Sequence, residues 1–107
     1  MSANFNKNID YLKFLLSANE NQGKILLKTI TREQCQTIEE IFYNIVSKII
    51  TFSPQVTTKL YRYRKLIKTI GVSKLSVKKK QEIIASKPLI ILNILKHSSD
   101  QIKQLFV

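Results

Sequence analysis

The chain has 107 residues, a length typical of a single domain, and 18 lysine and arginine residues against seven acidic ones give it a net charge of +11. Its single cysteine excludes an internal disulfide and, with no signal-peptide pattern, indicates the cytosol or nucleus and not secretion. Its longest apolar run falls far short of the roughly 20 residues that a membrane-spanning helix needs. The scarcity of glycine, proline and strand-like alternation predicts an all-α fold over residues 1–107.

Three helices are predicted in the N-terminal half. Apolar residues spaced three or four positions apart predict the first over residues 5–16. A short second helix that contains Gly23 follows, with Ile25, Leu26 and Ile30 as its apolar residues. Thr31 and Gln34 have the spacing of a capping box, which predicts the start of a long central helix. The apolar stripe of this helix continues to Ile49.

Three or four helices are predicted in the C-terminal half. Ser53-Pro54 is a helix start signal, and Gly71 ends that helix. Further starts are predicted near Ser76, at Pro88 and at Ser99. The sequence therefore predicts a compact bundle of five to seven short helices. The residues expected in its core are Leu12, Leu16, Ile38, Phe42, Ile45, Leu60 and Ile67.

The helix after Pro88 is apolar nearly all round. A helix of this kind is either buried on most sides or lies at an interface, and a domain this small has few elements to cover it. We therefore expect an exposed apolar patch or a homo-oligomer contact there. The interface residues are Leu89, Ile90, Ile91, Leu92, Ile94 and Leu95.

Catalytic residue patterns do not occur in the sequence. His97 is the single histidine of the sequence, and one histidine with one cysteine cannot form a zinc site. The two glycines cannot form a glycine-rich phosphate loop. Cys35 lies on an apolar stripe and is expected to be a small buried residue. We expect no enzyme activity, catalytic residue, metal or cofactor.

The positive charge is concentrated in one stretch. Residues 1–58 hold six basic and five acidic groups, whereas residues 59–87 hold ten basic groups and only one acidic group, Glu82. The last 20 residues add a net charge of +1. A contiguous basic stretch is typical of a surface that binds phosphates, acidic lipids or an acidic protein. A merely solvated basic face is the alternative.

Two parts of this stretch suggest phosphate binding. Arginines suit bidentate phosphate contacts, and Tyr61 among them could stack on a base. Lysines 78–80 are predicted in the first turn of a helix, where free N–H groups favour anions. No recognition-helix pattern is present, so double-stranded DNA bound without sequence preference is favoured. The predicted binding residues are Lys59, Tyr61, Arg62, Arg64, Lys65, Lys68, Lys74, Lys78, Lys79, Lys80 and Lys87.

Six short segments occur in an order that resembles a known family. They are residues 15–18 (Leu-Leu-Ser-Ala), 24–26 (Lys-Ile-Leu), 44–46 (Asn-Ile-Val), 59–67, 76–80 (Ser-Val-Lys-Lys-Lys) and 89–95. In this order they resemble the small basic proteins encoded beside capsid genes in adintoviruses and Polinton (Maverick) elements, relatives of the adenovirus core protein X, the mu precursor. One departure is that Ser86-Lys87-Pro88 replaces the Gly-Gly step of that family.

The resemblance implies a virion core-associated protein that neutralises packaged double-stranded DNA. It implies a location in the virion and in the host nucleus or cytoplasm. The alternative is a helical interaction module that docks on a capsid subunit or a host regulatory protein through its apolar C-terminal helix.

Overall fold

A computed structural model describes residues 7–48 and 51–104, and every regular element in these two ranges is helical. This confirms the predicted all-α class. The predicted helix start at residue 5 and the end of the central stripe at Ile49 lie outside the described residues. The helices are α1 (Ile9–Ser17), α2 (Glu20–Lys28), α3 (Arg32–Val46), α4 (Pro54–Tyr61), α5 (Arg64–Gly71), α6 (Val77–Ser86), α7 (Pro88–His97) and α8 (Ser99–Lys103).

Side-chain caps define several helix starts. In α3 the Thr31 hydroxyl accepts a hydrogen bond from the Gln34 N–H at 3.2 Å, and the Gln34 side chain accepts one from the Thr31 N–H at 3.0 Å. This confirms the predicted capping box. A second capping box, between Asn19 and Gln22, was not predicted, and it starts α2 at Glu20. Ser53 caps α4, as predicted.

The helix predicted from Pro54 to Gly71 is two helices, so the described residues contain eight helices where the sequence predicted five to seven. The break lies at Tyr63, whose φ of −102° and ψ of 9° depart from helical values. The Tyr63 N–H donates to the Leu60 carbonyl at 2.9 Å, and the Arg64 guanidinium donates to the Tyr61 carbonyl at 3.1 Å. The break lets α4 pack on α7 while α5 packs on α3.

Both glycines lie where two helices approach closely. A Cβ atom on Gly71 would lie 2.8 Å from backbone atoms of Phe42 and Tyr43, so α5 approaches α3 with no room for a side chain. A Cβ atom on Gly23 would lie 2.5 Å from a terminal methyl carbon of Leu92, where α2 meets α7. Each glycine therefore permits a helix contact that any side chain would hinder.

One hydrophobic cluster draws residues from all eight helices. Of the predicted core residues, Leu12, Ile38, Phe42, Leu60 and Ile67 are buried, while Leu16 and Ile45 are half-buried and pack against the cluster. Leu15, next to Leu16 in α1, is fully buried.

The interface prediction for α7 is wrong for four of its six residues. Helices α1, α2, α4, α6 and α8 all pack on α7, so this helix lies at the centre of the bundle. Its apolar character around the whole circumference reflects burial against these neighbours. Of the six predicted interface residues, only Leu89 and Ile90, in the first turn, are exposed, at 39% and 36%. The buried residues are Ile91, Leu92, Ile94 and Leu95.

Candidate polyanion-binding surface

Ten of the eleven predicted binding residues have exposed side chains, and they lie on three connected parts of the fold. Helices α4 and α5, with the break between them, carry six of them. The connection to α6 and the first turn of α6 carry three more, and Lys87 separates α6 from α7. The exposed residues are Lys59, Tyr61, Arg62, Arg64, Lys65, Lys68, Lys74, Lys78, Lys79 and Lys87.

Lys80 is the exception, and its prediction as a binding residue is wrong. Only 3% of the residue is exposed, because α6 packs on α3 and this position faces that helix. Its ammonium lies 2.5 Å from a carboxylate oxygen of Glu39 and donates to the Ser73 carbonyl at 3.2 Å. Lys80 therefore holds α6 against α3 and is not accessible to an external anion.

The first turn of α6 presents less positive charge to an anion than was expected from Lys78, Lys79 and Lys80 together. The Ser76 hydroxyl already accepts a hydrogen bond from the Lys79 N–H at 3.2 Å. The Lys79 ammonium lies 3.8 Å from a Glu82 carboxylate oxygen, an exposed pair that contributes little to stability. Lys78 and Lys79 thus supply charge at this helix start, with Lys79 partly neutralised.

A groove of about 470 Å³ lies between the end of α3, residues 51–52 and helices α4 and α5. We call it the basic groove. Three predicted residues, Tyr61, Arg64 and Lys68, line it. Lys48, which the sequence analysis missed, lies on its edge with a left-handed backbone φ of 58°. The apolar lining residues are Ile45, Val46, Phe52, Leu60 and Ile67.

Two arginines at the helix break are stacked on tyrosine rings. The Arg64 guanidinium carbon lies 4.2 Å from the centre of the Tyr61 ring, and that of Arg62 lies 5.3 Å from the Tyr63 ring. The bond from Arg64 to the Tyr61 carbonyl fixes its guanidinium further. An arginine held in this way loses less rotamer entropy when it binds a phosphate or carboxylate.

A second basic cluster surrounds the start of α7. Lys24 and Lys28, one turn apart on α2, and Lys87 line a shallow depression with Leu89 and Ile90. Lys87 was among the predicted binding residues, but the two α2 lysines were not, because the N-terminal half has almost no net charge. Their spacing of four on a helix was the available signal.

The side chains of Cys35 and Tyr11 have raised pKa values and are protonated near neutral pH. Burial, and secondarily the Glu39 carboxylate, raises the pKa of the Cys35 thiol from 9.0 to about 11. Burial likewise raises the pKa of Tyr11, whose hydroxyl donates to the Leu26 carbonyl at 3.0 Å. Cys35 is fully buried, as predicted. Neither group has the exposed, deprotonated character of a nucleophile.

Comparison with known protein families, characterised proteins and solved structures finds no match for this chain. Within residues 7–48 and 51–104, no helix has the length and apolar character required to cross a membrane. The same residues contain no group of three histidine, cysteine or acidic side chains placed to hold a metal ion.

Proposed function

We propose that this protein binds double-stranded DNA through its phosphates, without sequence preference and without catalysis. The observation that carries the proposal is the exposed, unbalanced charge of helices α4 and α5. No acidic residue occurs between Glu40 and Glu82, so no carboxylate from this part of the chain competes for these cations. The exposed basic side chains of the two helices and their junction are Lys59, Arg62, Arg64, Lys65 and Lys68.

Phosphate contacts fit these side chains better than contacts to base edges do. Lysine and arginine neutralise phosphates regardless of the bases, and most protein–DNA hydrogen bonds go to phosphate and sugar. Reading base edges needs a helix that reaches into the major groove with side chains such as asparagine, glutamine and arginine. Helices α4 and α5 have eight residues each and meet at a break, which suits contact with a backbone rather than insertion into a groove.

The proposal extends to biological setting through the resemblance to adintovirus and Polinton proteins. On that basis the bound DNA would be the genome of a DNA virus or virus-like element, in the virion core or in the host nucleus or cytoplasm. The alternative of docking on a capsid subunit or host protein through α7 has little surface left, because most of α7 is buried in the core.

Binding to fluorescently labelled duplexes of two unrelated sequences tests the proposal, with fluorescence anisotropy as the readout. We expect equal affinities for the two duplexes. The double variant Arg62→Gln/Lys65→Gln should bind roughly tenfold more weakly, because two charge-assisted contacts are lost. The matched control Lys13→Gln/Lys103→Gln loses the same charge from exposed positions on α1 and α8 and should bind nearly as the parent does.

Equal losses in the two double variants would show that total charge alone determines binding, and this would contradict a defined surface on α4 and α5. A strong preference for one duplex would contradict binding through phosphates alone. Circular dichroism melting of each variant checks that the fold is retained. All four substituted side chains are exposed, so little change in melting is expected.

A further inference from the structure

Among the described residues, the floor of the basic groove has apolar side chains that are only partly buried. Ile45, Val46 and Phe52 are half-buried although they pack against the hydrophobic cluster, so part of each remains open to the groove. The volume of about 470 Å³ lies within the range of roughly 300–1,000 Å³ that is typical of small-molecule sites. An apolar group inside the groove would remove this surface from water.

The cations on the edge of the groove form no ion pair with any acidic side chain in residues 7–48 and 51–104. Lys48, Arg64 and Lys68 all line it, and the lining residues that the structure describes include no aspartate or glutamate. Among the described residues, the ion pairs involve other lysines, namely Lys7, Lys79 and Lys80. Arg64 is already oriented by the Tyr61 ring and carbonyl. The groove therefore combines an apolar floor with a positively charged edge.

We propose that the basic groove binds a single-chain amphipathic anion, such as a long-chain carboxylate. The anionic head would pair with Arg64 and Lys68 while the alkyl chain covers the apolar floor. A DNA duplex can satisfy the cations but has no alkyl group to fill the floor, and a neutral apolar molecule leaves the cations without a partner. An amphipathic anion complements both parts of the site.

Isothermal titration calorimetry with octanoate, decanoate and the neutral analogue decanol tests this proposal, below the concentrations at which these compounds aggregate. We expect one molecule of decanoate to bind per chain. Decanoate should bind roughly fifteenfold more tightly than octanoate, because it has two more methylenes and each buried methylene contributes about fourfold in affinity. Decanol should bind more weakly than decanoate, because it lacks the anionic head.

Two variants separate the head contact from the chain contact. Arg64→Gln/Lys68→Gln should weaken decanoate binding several-fold and leave decanol binding unchanged. Thr57→Phe places a ring in the groove from an exposed position of α4 and should weaken both ligands. Thr57→Leu serves the same purpose if the larger ring lowers the melting temperature. Lys13→Gln/Lys103→Gln is the matched charge control and should bind both ligands as the parent does.

Several results would overturn the proposal. These are an absence of decanoate binding, an affinity independent of chain length, or binding of many molecules that the Arg64→Gln/Lys68→Gln variant does not change. Binding to phosphatidylglycerol vesicles without binding of soluble decanoate would indicate a membrane surface site and would also overturn it. All of these measurements are made without DNA, so their outcome is independent of the proposed DNA binding.

Discussion

The ion pair between Lys80 and Glu39 allows a quantitative test of the fold, because its two members differ in exposure. Only 4% of the Lys80 side chain is exposed, against 29% of the Glu39 side chain. Replacing Glu39 by Gln would leave a buried ammonium facing a neutral amide. Replacing Lys80 by Met would leave a carboxylate that can reach water. The two substitutions break the same ion pair, but each leaves a different charge without its partner.

The expected costs follow from this difference. Removing one partner of a fully buried pair typically costs about 3–5 kcal/mol, and partial exposure lowers this figure. We expect Glu39→Gln to lower the free energy of unfolding by about 2–3 kcal/mol. Lys80→Met should cost only about 1 kcal/mol, because the methionine side chain still fills the space under α6. The double variant should cost about as much as Lys80→Met alone, because no charge is then left buried.

Urea denaturation followed by far-ultraviolet circular dichroism measures all four proteins of this double-mutant cycle. Distant, independent substitutions add within about 0.3–0.5 kcal/mol. Additive costs within that margin would therefore show that the two side chains do not interact. A larger cost for Lys80→Met than for Glu39→Gln would refute the assignment of the ammonium as the more deeply buried charge.

Three further predictions concern packing and pH. Gly71→Ala should lower the free energy of unfolding, measured by urea denaturation, by about 1–3 kcal/mol, because the added methyl group would meet backbone atoms. Gly23→Ala should lower it less, because its methyl group would meet only the end of the Leu92 side chain, which can move. Equal losses in the two variants would contradict this reasoning. Phe42→Ala should cost about 3–5 kcal/mol, and unchanged melting would show that Phe42 is not core. The free energy of unfolding should fall as the pH rises from 9.0 to about 11, because the Cys35 thiol keeps its proton in the folded protein but loses it in the unfolded chain. Cys35→Ala should remove this part of the decrease.

Local signals predicted three of the capped helix starts but not the break in the middle of the basic stretch. Thr31, Ser53 and Ser76 cap helices because a side-chain oxygen lies three residues before a free N–H, which is a local relation. The break at Tyr63 has no glycine or proline beside it. It depends on α4 and α5 packing against different helices, and this information is not contained in the local sequence.

Burial of individual residues depended on partners far away in the sequence. Lys78, Lys79 and Lys80 are chemically identical, and only the last faces Glu39, 41 positions away. Periodicity likewise showed that α7 is apolar all round without showing which helices cover it. The grouping of Lys48 with Arg64 and Lys68 could not be predicted for the same reason, since it requires the packing of α5 on α3.

The salt dependence of duplex binding tests the central proposal most directly. Each phosphate contact contributes about −0.9 to the slope of log affinity against log salt concentration. Four to six contacts therefore predict a slope of about −4 to −5. The affinity at physiological salt should then be on the order of micromolar. The Arg62→Gln/Lys65→Gln variant should reduce the size of that slope by about two. No duplex binding at low salt, or an affinity that does not change with salt, would contradict DNA binding through this surface.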